Sequence, residues 1–130
     1  MADVNRGKRP LSPHISIYRP QINSITSIIN RITGVAMSLA AVLIVWWLLA
    51  AATSASYFDF VNGLLTSWFG LLVMFGSLWA LWFHFLGGIR HLVMDFGVGY
   101  DIKSVDFWGK AIIVLSLILT AASIYCLSTF

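Results

Sequence analysis

Charge is scarce in this chain: Asp, Glu, Lys and Arg together make up 10% of 130 residues, against about 25% in a soluble domain. Cysteine is scarcer still. Cys126 stands alone, so the chain by itself holds no iron–sulfur cluster, thiolate zinc site or intrachain disulfide. Proline is confined to Pro10, Pro13 and Pro20. The formal charge is +3, but the cations are few and dispersed among apolar segments, which argues against nucleic acid as a partner. Room is lacking too, because an independent soluble catalytic unit takes about 100 residues. Any activity has to be built from helices.

What is present is apolar: 59% of the residues are hydrophobic and 15% aromatic. A membrane span takes about 20 residues, so the chain has material for three spans and short connections. Long uncharged stretches run over Ile32–Ser56, Val61–Ile89 and Ala111–Phe130. The residues before them carry Arg6, Lys8, Arg9, Arg19 and Arg31 together with the three prolines, which disfavour a long regular helix there. Neither an early apolar core of about 7–15 residues nor a small-residue cleavage site precedes the first span, so the expectation is a retained N-terminus. Ile15 and Ile17 alternate with Ser16 and Tyr18, an extended pattern suited to docking on a partner. The expected organisation is an arm and interfacial segment over 1–26, then a three-helix membrane domain over 27–130.

The remaining cations, Arg90, Lys103 and Lys110, fall between the second and third spans, and none falls in the Tyr57–Asn62 connection. All eight therefore lie on one side if the arm is cytoplasmic, as the positive-inside rule requires. The expected fold is an all-α membrane protein with N-terminus in, C-terminus out, in a bacterial inner membrane; a mitochondrial inner membrane is the second choice. Tyr57, Phe58, Trp108, Tyr125 and Phe130 sit at span ends as interfacial belts do. Trp46, Trp47, Trp79 and Trp82 lie deeper and call for packing or a ligand.

Ionisable groups at membrane depth are functional hypotheses by default. His84 precedes Arg90 by six residues, about 9 Å below the cytoplasmic boundary. Ser77, Ala80, Gly87, Gly88 and His91 share its surroundings at helical spacing, so a recess lies beside the imidazole. That combination suits an axial haem ligand. It suits equally a histidine bonded across a helix interface with glycines for close packing. Six-coordinate haem needs two axial donors; since His14 lies in the arm and His91 at the water boundary, a second chain would complete it.

Ser27, Arg31, Gly34 and Ser38 form one stripe on the first span. A hydroxyl and a guanidinium one turn apart can hold a quinone carbonyl or a haem propionate. The alternative is a snorkelling arginine and a capping serine. Asp95, four residues after His91, either orients that ring or forms an ordinary helix-end pair. Asp101, Lys103 and Asp106 read as a solvated connection, and Ser116, Thr120 and Ser123 as a packing face.

Three segments together carry a resemblance: Arg9-Pro10-Leu11-Ser12-Pro13-His14, then Ser27-Ile28-Ile29-Asn30-Arg31-Ile32-Thr33-Gly34, then His84-x3-Gly-Ile-Arg-His-x3-Asp-x-Gly through Gly97. The chain resembles the cytochrome b membrane-anchor subunit of succinate:quinone oxidoreductase over its whole length. In that family a flavoprotein subunit oxidises succinate, an iron–sulfur subunit carries electrons, and two anchor subunits bind haem b and reduce ubiquinone. The resemblance implies His84 as one axial iron ligand and a second anchor subunit as source of the other. It implies Ser27, Ile28 and Arg31 at the quinone, and Arg31, His91 and Asn30 around the haem. The family pattern has histidine where Asn30 stands, and asparagine cannot carry the charge for a propionate contact. Succinate oxidation falls to other chains, and a haem-free structural anchor or the anchor of a related fumarate reductase are the alternatives. A transporter or channel is disfavoured, because the outer halves of the spans are nearly apolar.

Overall fold

The computed structural model describes residues 18–129. His14, the Arg9–His14 motif, the Ile15/Ile17 alternation and Phe130 lie outside the described residues. Four helices follow one another: α1 (Ile22–Thr53), α2 (Ala55–Thr66), α3 (Trp68–Asp95) and α4 (Ile102–Thr129). Three of them, α1, α3 and α4, are long and apolar enough to cross a membrane. At 32, 28 and 28 residues they extend about 42–48 Å, beyond a hydrocarbon core of about 30 Å. With no water in that core, each span has to satisfy its own backbone, and a helix does so internally. An all-α membrane protein is what the structure shows.

The element boundaries differ from expectation in three places, each for a local reason. First, α1 begins at Ile22, directly after Pro20, well ahead of Ile32. Its polar first turns are held by bonds: Thr26 Oγ1 donates to the Asn23 carbonyl at 3.1 Å, and Arg90 reaches Asn23 and Thr26 from α3. Second, α4 starts at Ile102 rather than Ala111, so Lys103 and Asp106 are helical although exposed. Asp101 Oδ2 accepts the Ser104 N–H at 2.9 Å and the Asp101 carbonyl accepts that of Val105 at 3.0 Å, which caps the helix start. The Ser104 hydroxyl and then its N–H hold the exposed Asp101 carboxyl below the usual carboxylate range.

Third, the stretch Val61–Ile89 is not one span. The Tyr57–Asn62 connection is part of a separate helix, α2, and the chain breaks at Ser67, which is extended at φ −60° and ψ 160°. Ser67 Oγ accepts the Gly70 N–H at 3.1 Å. A Cβ on Gly70 would run into the carbonyls of Leu64 and Leu65, so glycine permits the elbow. Twelve residues reach about 18 Å, too short to cross.

The four deep tryptophans turn out to be helix couplers. Trp46 donates to Tyr57 Oη at 2.7 Å and Trp47 to Asn62 Oδ1 at 3.3 Å, fastening α2 to α1. Trp79 donates to Ser116 Oγ at 3.2 Å and Trp82 to Ser123 Oγ at 3.0 Å, fastening α3 to α4. The interior is small and partly polar: beside Ala50, Val61, Ala80, Phe83 and Ile112 it buries Thr26, Thr33, Ser116 and Thr120. Large apolar residues face outward, as between Ile32 at 61% and Val45 at 63% exposure. Small residues inside and large apolar ones outside are the packing of helices in lipid.

Gly70→Val should therefore lower the unfolding midpoint of the detergent-solubilised protein by several degrees, because backbone carbonyls cannot move aside. Gly63→Ala, with nothing within 4 Å of the added methyl, should hold or raise it, through a helix-propensity gain of up to about 1 kcal/mol. Thermal melts followed by circular dichroism read both.

Candidate functional site

The seam between α1 and α3 brings the membrane-depth histidine to the first span. His84 is half-buried, and its Nδ1 lies 2.9 Å from the Asn30 carbonyl oxygen. A carbonyl only accepts, so Nδ1 donates, and the neutral ring presents its lone pair at Nε2. Metal-ligating histidines are commonly oriented in this way, the second ring nitrogen donating to a backbone carbonyl. The same carbonyl also accepts from Thr33 Oγ1 at 3.0 Å.

Glycines make this approach possible. A Cβ on Gly34 would stand 2.9 Å from His84 Cε1, so the imidazole rests on the surface that Gly34 leaves bare. A Cβ on Gly87 would collide with the Asn30 amide, whose Oδ1 is buried without a hydrogen-bond partner. Gly88 differs: nothing lies within 4 Å of its missing Cβ. One turn from His84, it leaves an open flank where a flat ring system could lie against the helix.

The stripe on α1 divides. Gly34 lies under His84, and the Ser38 hydroxyl donates to the Gly34 carbonyl at 3.1 Å. Ser27 is half-buried, Arg31 exposed and Ile28 55% exposed. Elsewhere on this helix Thr26, Thr33, Ser38 and Thr53 turn their hydroxyls back to backbone carbonyls. Among the described residues the Ser27 hydroxyl has no such bond, which leaves it available to a ligand. His91 and Asp95 lie at the C-terminal end of α3, both exposed, and no hydrogen bond joins them among the described residues. Asn30 turns its side chain inward to Gly87, and it is its main chain that touches His84.

Among the described residues no group of three His, Cys, Asp or Glu side chains is placed to hold a metal ion. His91 cannot oppose His84 across one iron, being about 10.5 Å further along the same helix.

Comparison with known proteins bears on this arrangement. Residues 5–123 match the family described as the succinate dehydrogenase/fumarate reductase transmembrane subunit. The chain belongs to that family. It is 45% identical to the succinate dehydrogenase cytochrome b556 subunit of Paracoccus denitrificans over 130 residues, covering all of both chains. It is 39% identical to the cytochrome b556 subunit of Rickettsia felis over 113 residues, 87% of this chain and 88% of the relative. The cytochrome b560 subunit of Reclinomonas americana is 32% identical over 117 residues, 86% of this chain and 81% of the relative. As a transmembrane subunit of the succinate dehydrogenase/fumarate reductase family, the chain is one part of an enzyme complex.

Inspection of the sequence missed two features of this anchor. Arg90 was placed at a boundary by its charge, but it bonds Asn23, Thr26 and the Val105 carbonyl. The signal available was Asn23 and Thr26, two bonding side chains one turn apart ahead of the long apolar run of α1. The α2 helix was the other, foreshadowed by Ser54 and Ser67, whose hydroxyls accept the N–H groups of Tyr57 and Gly70.

The Gly87–Asn30 contact makes a non-additive pair. Gly87→Ala should cost about 1–3 kcal/mol, and adding Asn30→Ala, which clears the amide from the methyl's path, should recover most of it. Unfolding titrations of the two single variants and the double variant measure the coupling.

Proposed function

We propose that this chain is the haem-b-binding membrane anchor of a succinate dehydrogenase, and that it forms part of the site where ubiquinone is reduced. The observation that carries the proposal is the His84 ring, with Nδ1 donating to the Asn30 carbonyl at 2.9 Å and Nε2 left as donor atom for iron. The cytochrome b names of the relatives support haem. Gly88 provides the open flank and Gly34 the seat for the ring. When bound, haem b supplies reversible one-electron transfer.

The remaining work belongs to this chain's polar residues at the cytoplasmic end. Ser27 donates its uncommitted hydroxyl to a quinone carbonyl. Arg31 stabilises the negative charge that develops on that oxygen, an electrostatic role strengthened by low dielectric. Ile28 forms the apolar wall beside them. Arg31 and His91 would form part of the haem surroundings, and Asn30 contributes through its main-chain bond to His84. With a single cysteine the chain cannot hold an iron–sulfur cluster by itself, so electrons would reach it from partners: a flavoprotein subunit, an iron–sulfur subunit and a second anchor subunit that would hold the haem together with His84.

Three crossings by α1, α3 and α4 would put the start of α1 and the end of α4 on opposite sides. The described cations Arg19, Arg31, Arg90, Lys103 and Lys110 all lie toward the end where α1 and α4 begin, and Asp59 lies in α2 at the other. The positive-inside rule then puts Ser27 and Arg31 at the cytoplasmic face of a bacterial inner membrane, where the soluble subunits dock.

Purification through a tag on this chain, followed by a dithionite-reduced minus oxidised spectrum, tests the reading. Co-eluting flavoprotein, iron–sulfur and second anchor chains with a reducible b-type band are expected; intact complex without that band would establish a haem-free structural anchor. His84→Ala should abolish or shift the band, and Gly88→Phe should lower haem content by filling the flank. Ser27→Ala should raise the KM for quinone about tenfold with the band unchanged.

A further inference from the structure

The reading above leaves Arg90 without a role, yet it is the side chain that ties the most helices together. Its Nη1 donates to Thr26 Oγ1 at 3.4 Å, and its Nη2 to Asn23 Oδ1 at 3.2 Å and to the Val105 carbonyl at 3.4 Å. One guanidinium on α3 thus bonds the first turns of both α1 and α4. Thr26 in turn donates to the Asn23 carbonyl, which closes the network, and Thr26 is only 4% exposed. Gly109 of α4 adds a packing contact at the same place: a Cβ there would stand 3.3 Å from Ile22 Cγ1 and 3.8 Å from Thr26 Cγ2.

The beginning of α1 needs this support. Its N-cap, Gln21, makes no side-chain cap bond, and its first turn has no acidic residue. Uncapped helix ends fray at little cost in free energy. Ser27 is the residue immediately after Thr26, so the position of its hydroxyl depends on the turn that Arg90 holds. The dipole of α3 favours a cation near its C-terminal end, whereas the positive ends of α1 and α4 oppose one. The three bonds of Arg90 offset that cost, and lysine, with one ammonium group, cannot reproduce the fork.

We infer that Arg90, acting through Asn23 and Thr26, is a positioning residue of the quinone site: it holds the first turn of α1 so that Ser27 meets the quinone carbonyl. The inference rests on the assignment of Ser27 to that site, and the test separates the two. A misplacement of about 1 Å at a reacting group can cost up to about a hundredfold in rate.

The experiment compares Arg90→Gln, Thr26→Val, Asn23→Leu/Thr26→Val and Ser27→Ala in the purified complex, with a short-chain benzoquinone as acceptor. Haem content and difference spectrum are recorded beside KM and kcat. Arg90→Gln and the Asn23/Thr26 pair should each raise the quinone KM about tenfold, more than they lower kcat, with the haem band retained. Combining them should add little, since both release the same turn. Thr26→Val keeps the volume and removes one contact, so it carries the test with a smaller KM shift if Arg90→Gln fails to assemble. A normal KM in Arg90→Gln, or in assembled Thr26→Val where it stands in, beside a raised KM in Ser27→Ala overturns the inference and spares the site. A raised KM in Arg90→Gln but not in the Asn23/Thr26 pair overturns it as well, because charge and not position is then the cause. A normal KM in Ser27→Ala overturns the quinone reading itself, and the inference with it.

Discussion

The approach of α3 to α1 at His84 is the contact on which the rest of the arrangement depends. A single hydrogen bond from Nδ1 to the Asn30 carbonyl fixes the ring orientation and leaves Nε2 as the uncommitted nitrogen. The bond forms because Gly34 lets the imidazole lie directly on α1 and Gly87 lets the Asn30 amide enter the seam. In hydrocarbon, apolar burial gives helices no reason to prefer each other over lipid, so close packing and polar bonds have to hold them. Here the same residues that bring the helices together also orient the histidine.

That economy runs through the molecule. Three of the helix contacts carry polar couplers: Trp46 and Trp47 join α1 to α2, Trp79 and Trp82 join α3 to α4, and Arg90 joins α3 to both α1 and α4. An indole N–H or a guanidinium inside a bilayer without an acceptor is costly, which makes these pairings specific about register as well as favourable. The outward faces, by contrast, carry Ile, Val, Leu and Phe that are exposed among the described residues. Lipid and the other subunits of the family's complexes cover such a surface.

Much of the fold was legible because it follows from solubility. Uncharged length marks the spans. The α2 helix was not legible from hydropathy, because Val61–Ile89 contains no charge to signal the break at Ser67. The elbow there depends on a seryl cap and on Gly70 avoiding two carbonyls, a local fit invisible to any average over a window. Likewise Ile22–Arg31 is polar enough to read as an arm, and it is helical because Asn23 and Thr26 have a partner on α3.

For the site, the sequence by itself determined which residues are available: a histidine at membrane depth, glycines around it, and a serine and an arginine at helical spacing near the same face. It also excluded an iron–sulfur cluster held by this chain alone, since Cys126 is its one cysteine. Only the tertiary structure decided which nitrogen of His84 is committed, that Asn30 serves through its main chain, and that Gly87 closes the seam while Gly88 leaves it open. Periodicity reports which face of a helix a residue occupies. Hydrogen bonding and contact between faces also depend on the rotation and depth of the neighbouring helix, and those are settled by packing.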